Sequence, residues 1–188
     1  MWQLSRPTPE RVRAFREAQR PLPFSYPGVG ATRDGGPAPP GYDRDHNRQY
    51  LGRGEAAFVA ARGAIRAWHM FPPPLAIVEP AGIPIAEGEV AGVVIRVFGL
   101  WFLNAARIVY VIDEPRRFGF AYGTLPGHAE RGEERFLVEW LADDSVWYDI
   151  RAFSRPRYWL ARLGYPLTRH LQRRFVRLSR AAMASAVA

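Results

Sequence analysis

A glutamate among aromatic residues is the first place in this chain where side chains could do chemistry. Phe136, Val138 and Trp140 alternate with other residues, and the period of two puts Glu134 on the same face of a strand. A carboxylate there must be solvated, paired or protonated, because burying it unpaired is costly. The alternative is that Glu134 lies at a strand end and pairs with a surface arginine. The residues that we predict to bind a ligand are Tyr110, Tyr122, Glu134, Trp140 and Tyr148.

A turn histidine is the weak candidate for catalysis. His128 follows Pro126 and Gly127 and precedes Glu130 and Glu133, so it could act as an acid or base beside a carboxylate. A solvated turn residue is the simpler interpretation. The other three histidines lack the spacing of a metal site, and the chain has no cysteine. We therefore expect no metal and no cofactor, and in the absence of a recognisable catalytic motif we interpret the protein as non-catalytic.

The positive charge is concentrated at the C-terminal end. The net charge is +8, all basic residues are arginine, and no acidic residue follows Asp149. This segment could bind an anionic membrane surface, an acidic protein or nucleic acid, or it could be a solvated helix face. No aromatic residues interleave with the arginines on the polar side of this segment, which argues against nucleic acid. The residues that we predict to contact an anion or partner are Arg48, Arg53, Arg169, Arg173 and Arg177.

Residues 52–57 match the pattern G-x-G-x-x-A at the start of a predicted helix. A dinucleotide-binding fingerprint requires a preceding strand, and the polar residues 45–49 do not read as one. We therefore reject nucleotide binding. Helix N-terminal amides beside Arg48 and Arg53 could form a modest anion site, and a tight entry turn is the structural alternative.

Three helices are predicted. Thr8 and Pro9 form an N-cap and first-turn pair that predicts a helix over 9–19. Helical spacing of apolar residues predicts a second helix over 53–68. A long amphipathic basic helix is predicted over 157–184, with a kink near Gly164 and Pro166.

Between these helices the pattern changes to loop and then to strands. Residues 24–50 read as a Pro/Gly-rich loop with one short strand near 29–32. Alternation and turn residues predict strands over 75–79, 89–98, 106–113, 117–123, 133–141 and 145–153. Short connections imply antiparallel pairing. Residues 100–103 form an apolar connection that is either buried under a neighbouring element or exposed as a contact surface. We predict one α+β domain over 1–188, in which an antiparallel curved sheet of about six to seven strands wraps round the C-terminal helix.

This order of elements resembles the helix-grip architecture of the START and Bet v 1-like superfamily. The local motifs resemble the family catalogued as domain of unknown function nineteen-ninety, found in bacteria and plants. The segments that carry the resemblance are 47–55, 107–113, 120–134 and 152–156, and Tyr-Gly-Thr-Leu-Pro-Gly-His at 122–128 is the most specific. The architecture implies an apolar cavity between the sheet and the last helix, whereas the family supplies no activity.

The resulting hypothesis is a binding protein for a small hydrophobic or amphipathic molecule, held between the sheet and the C-terminal helix. The alternative is an electrostatic adaptor that binds an anionic membrane surface or an acidic partner through the arginine-rich helix. The first residues lack the features of a signal peptide, so a cytoplasmic location is the expectation.

Overall fold

The helices follow from local sequence signals. The computed structural model describes residues 2–157 and 165–188. Helix α1 (Pro9–Gln19) begins after Thr8, whose side chain accepts a hydrogen bond from the Arg11 backbone at 3.3 Å, as predicted. Helices α2 (Gly54–Arg66) and α3 (Tyr165–Ser185) follow. The predicted start of the last helix at residue 157 is wrong, because Arg157 forms a bend; residues 158–164, with the Gly164 part of the predicted kink, lie outside the described residues.

The strands form one antiparallel sheet, which confirms the predicted α+β fold. Its order is β2-β8-β7-β6-β5-β4-β3, and β1 pairs with the start of β5. The strands are β1 (Trp2–Gln3), β2 (Asp43–Arg53), β3 (Ala76–Glu79), β4 (Val90–Val97), β5 (Leu100–Glu114), β6 (Arg117–Thr124), β7 (Glu130–Trp140) and β8 (Ser145–Pro156).

Strand β2 corrects the predicted loop over 24–50. It pairs with β8 over its whole length, so the loop ends at Tyr42, and residues 29–32 form turns instead of a strand. The strand was missed because both of its faces are polar. Its presence also removes the reason given for rejecting a dinucleotide fingerprint. The pairing with β8 is nevertheless antiparallel, and a dinucleotide site requires a parallel βαβ unit.

The two faces of the sheet have different covers. On the inner face, α2 and α3 pack against the main core, which includes Phe58, Ile65, Phe120 and Phe136. On the outer face, α1 packs Val12 against Val94 and Leu103. The 20–42 loop also covers the outer face. Of the two alternatives for residues 100–103, burial under α1 describes Leu103, which is almost fully buried.

A β-bulge in β5 exchanges the two faces within one strand. Ile108 pairs with Tyr122, but Tyr110 pairs with the adjacent residue Ala121, so Val109 is the extra residue. Before the bulge Ile108 faces the main core. After it Tyr110 packs with Leu137 on the other side. The prediction that Tyr110 faces inward with Tyr122 is therefore wrong.

Candidate functional site

A cavity of about 330 Å³ lies between the inner face of the sheet and α3. Most of its wall is apolar, and side chains from strands β4, β5 and β8, from α3 and from the segment after α2 contribute to it. Apolar residues in the wall include Phe71, Ile95, Val97, Phe102, Ile150 and Phe175. A cavity of this size is at the lower end of the range that small ligands occupy.

Glu134 and Tyr122 form the polar centre of this cavity. They are paired in the register of β6 and β7, and the Tyr122 hydroxyl donates to Glu134 Oε2 at 2.7 Å. Glu134 retains partial access to solvent through the cavity. The pKa of Glu134 is raised to about 7, mainly by burial; the hydrogen bond from Tyr122 lowers it, and the nearby charges of Glu130 and Asp45 raise it. The carboxylate therefore changes charge near neutral pH.

Two further carboxylates line the same space. Glu130 lies on the Glu134 face of β7, and burial raises its pKa. Gln172 of α3 donates to Glu130 at 2.8 Å and to Ser154 at 3.0 Å. Asp45 of β2 accepts two hydrogen bonds from Arg169, at 2.6 and 2.7 Å. These contacts attach the first turns of α3 to the sheet.

The charge balance at this end of the cavity is negative. Arg169 binds Asp45 and its charge also lowers the pKa of Glu130, whereas the hydrogen bond described for Glu134 comes from the neutral Tyr122 hydroxyl. Of the described residues that line the cavity, none is an arginine. An anionic group placed here would be repelled by both glutamates, and a cation or hydrogen-bond donor would be attracted.

His128 also lines the cavity, but it is poorly suited to general acid catalysis. Its pKa is lowered to about 4, mainly by burial and to a smaller extent by the charge of Arg157. Its Nδ1 accepts a hydrogen bond from the Glu130 backbone at 3.0 Å, which assigns the proton of the neutral ring to Nε2. The imidazole is neutral at neutral pH and has little basicity.

The structure separates the predicted ligand-binding residues. Tyr122 and Glu134 line the cavity. Tyr148 is fully buried in the main core with its hydroxyl 2.9 Å from that of Ser179, and Trp140 stacks on Phe58 at 6.1 Å. These two lie outside the lining residues, and Tyr110 is on the opposite face of the sheet.

The predicted partner-binding arginines also differ in their surroundings. Arg48 lies over the Trp147 ring, and Arg53 donates to the Asp143 carbonyl at 2.8 Å. Arg169 is bound to Asp45, as described above. Arg173 and Arg177 are exposed on α3. The first three therefore already bind groups of this chain.

A buried polar cluster on the outer face was missed from the sequence. Glu133 is 2% exposed and accepts hydrogen bonds from the Tyr26 hydroxyl at 2.8 Å, from the Gly30 backbone at 2.7 Å, and from both the backbone and the hydroxyl of Thr32. The Thr32 hydroxyl in turn accepts from Tyr110 at 2.8 Å. Glu133 thus binds the 20–42 loop to the sheet.

An ion pair lies beside this cluster. Arg135 and Asp149 are both almost fully buried, and their side chains are joined at 2.6 Å. Burial alone would raise the pKa of Asp149, but hydrogen bonds from His46 and Arg135 outweigh it and lower the pKa. Arg135 also donates to the carbonyl of Arg33 at 2.9 Å. The side chains of Glu133 and Arg135 on the outer face are therefore hydrogen-bonded to the 20–42 loop.

Neither a metal site nor a membrane span is found in the part of the chain that is described. Within residues 2–157 and 165–188, no group of three or more His, Asp or Glu side chains is placed to hold a metal ion. The described helices include none that is long and apolar enough to cross a bilayer.

A curved antiparallel sheet closed by a C-terminal helix defines the helix-grip class of START and Bet v 1-like folds. Human STARD10 is 10% identical, with 95% of this chain and 80% of that chain covered and a TM-score of 0.47. Ara h 8.0201 is 14% identical, with 77% and 99% covered and a TM-score of 0.46. These similarities are too distant to transfer a ligand or an activity.

Within that class the sequence defines the family. Residues 25–182 match the model described as domain of unknown function (DUF1990), and the chain belongs to this family, as its motifs indicated. A "UPF0548 protein" of Deinococcus radiodurans is 38% identical over 190 residues, which cover 94% of each chain. A "UPF0548 protein" of Dictyostelium discoideum is 33% identical over 196 residues, covering 94% of this chain and 91% of the relative.

Proposed function

We propose that this protein binds a small amphipathic molecule in the cavity between the sheet and α3. The apolar part of the molecule contacts the walls, and its head lies at the Glu134 end. The observation that supports this most directly is the Tyr122–Glu134 pair in a cavity whose walls are mainly apolar. Polar groups gathered at one end of an apolar space fix a ligand's orientation without requiring a chemical step.

The charges at this end favour a cationic or hydrogen-bond-donating head. Burial raises the pKa of both Glu130 and Glu134, which means that ionising either carboxyl group costs more in the empty cavity than in water. A bound ammonium group would offset that cost, because it supplies the missing opposite charge. A carboxylate or phosphate head would add a further like charge. The ligand class that fits best is therefore an amphipathic amine.

The test compares three probes with the same chain and different heads: octylamine, octanol and octanoate. At pH 8 we expect octylamine to bind at least about tenfold more tightly than octanoate, because a charge-assisted hydrogen bond contributes roughly 1.5–3 kcal/mol. Glu134→Gln should remove most of that preference and leave octanol binding unchanged. Isothermal titration calorimetry measures all three affinities. Tighter binding of octanoate than of octylamine would refute the proposed head group.

Two control variants separate the head from the cavity. Glu139→Gln makes the same chemical change in β7, on a residue whose carboxylate binds Arg117 at 3.3 Å, and should leave all three affinities unchanged. Ile95→Trp adds a large side chain to the cavity wall and should weaken all three probes. Native mass spectrometry of the purified protein should also detect a bound small molecule. Binding that survives Ile95→Trp would contradict the cavity as the site.

A further inference from the structure

The turn between β4 and β5 has an unexpected residue at its tip. Phe98 and Gly99 connect the strands, with φ values of 50° and 80°. A two-residue turn with both residues in the left-handed region favours Asn-Gly, and a bulky side chain there is an outlier. Phe98 is also 77% exposed, so burial does not compensate for its backbone conformation. The folded chain gains little from this phenyl ring.

Other exposed apolar side chains lie at the same end of the sheet. Strand β1 pairs Trp2 with Phe102 and Gln3 with Trp101, and Leu4 is the first residue after this strand. Trp2 is 64% exposed and Leu4 is 80% exposed. We call Trp2, Leu4 and Phe98 the apolar tip.

The charge around the apolar tip is positive. Arg96 is exposed beside the turn, with its guanidinium 5.4 Å from the centre of the Trp101 ring. Residues 90–112 contain two arginines and no Asp or Glu. Separate apolar side chains next to a cation match the interface of an anionic bilayer, where aromatic rings lie among the head groups.

The apolar tip is continuous with the cavity. Ile95 and Val97 of β4 and Phe102 of β5 line the cavity, and the Phe98 turn joins these two strands. We propose that the apolar tip inserts into the surface of an anionic lipid bilayer and thereby places the cavity wall next to the lipid. The insertion itself is independent of the proposed function. Entry of an amphipathic ligand from the bilayer into the cavity, which would follow from insertion, rests on the proposed function.

The decisive variant is Phe98→Asn, because it separates membrane binding from folding. Asn is preferred at this φ, so the unfolding temperature should stay the same or rise. Binding to vesicles of phosphatidylcholine mixed with phosphatidylglycerol should weaken by at least about tenfold, the loss expected for removing one inserted aromatic side chain. Sedimentation with the vesicles measures binding. Phosphatidylcholine vesicles without phosphatidylglycerol should bind the wild type more weakly.

Control variants show whether a change in vesicle binding is due to the apolar tip. Val59→Gln removes an apolar side chain that is 58% exposed on α2 and should leave vesicle binding unchanged. Arg96→Gln should weaken binding and reduce its dependence on salt. Unchanged vesicle binding by Phe98→Asn, or a lower unfolding temperature, would overturn the inference. The inference would also be overturned if vesicle binding were lost only in a variant that carries both Arg173→Gln and Arg177→Gln. Self-association of the protein without lipid that Phe98→Asn abolishes would overturn it as well.

Octylamine affinity without vesicles distinguishes the two proposals. Phe98→Asn should retain it, because Phe98 is not among the cavity-lining residues. If the variant still binds octylamine and its vesicle binding equals that of the wild type, the membrane-insertion proposal is refuted and the amine-binding proposal stands. Absence of amine binding in the wild type, with vesicle binding that depends on Phe98, would refute the amine-binding function alone.

Discussion

Glu134→Gln should stabilise the protein at pH 8 and have almost no effect at pH 4. The pKa of Glu134 is raised from 4.5 to about 7, so the folded state binds a proton that the unfolded state has already lost between these values. Stability due to this group is therefore lost as pH rises from 4.5 to 7 and stays lost above 7. The shift corresponds to at most roughly 3 kcal/mol, and water in the cavity reduces it.

The measurement is chemical denaturation of the wild type and Glu134→Gln across this pH range. The difference in the free energy of unfolding should grow with pH and level off above pH 7. Glu139→Gln, the same change in the same strand, should not show this increase. A Glu134→Gln protein that is less stable than the wild type at pH 8 would show that the carboxylate is a stabilising group, contrary to its surroundings. Excess octylamine should narrow the difference, because the ligand would stabilise only the wild type through Glu134.

Glu133→Gln should cause the second large effect, in the opposite direction. Every group that contacts the Glu133 oxygens is a donor, and an amide NH2 in place of one oxygen would face donors with no acceptor. We expect a loss of about 2–4 kcal/mol, the range for leaving buried partners of a charged group unsatisfied. Denaturation measures the loss.

The position of the damage can be measured separately. The 20–42 loop contains Arg33, so trypsin should cleave there faster in Glu133→Gln than in the wild type. Tyr26→Phe removes only one of the four hydrogen bonds and should cost about 1 kcal/mol. Cleavage at Arg33 and stability both equal to those of the wild type would show that Glu133 does not hold the loop.

The sequence predicted the elements whose signals are local. Thr8 and Pro9 define the start of α1 through backbone chemistry, and the apolar alternation of β7 put Glu134 and Phe136 on one face. The same alternation contained a signal for Glu130, which is four residues before Glu134 and therefore on its face.

What the sequence did not reveal depends on partners far along the chain. Strand β2 alternates between charged outer residues and polar inner residues such as Asp45 and Asn47, so it has no hydrophobic period. Its pairing with β8 and the Asp45–Arg169 contact stabilise it. Glu133 could not be assigned either, because its four donors belong to a loop whose path over the sheet has no periodic pattern.

The Val109 bulge limits how strand β5 can change in length. Before the bulge the even-numbered residues, such as Ile108, face the main core. After the bulge the even-numbered residues, such as Tyr110, face the outer side, so the strand contributes to two separate cores. Deleting Val109 would remove the bulge and make Ile108 and Tyr110 adjacent, so that the two side chains would still point to opposite faces and the Tyr110 hydroxyl would stay near Thr32. A single-residue insertion or deletion away from the bulge would turn side chains to the opposite face and alter the packing of both layers at once, whereas a substitution alters one layer.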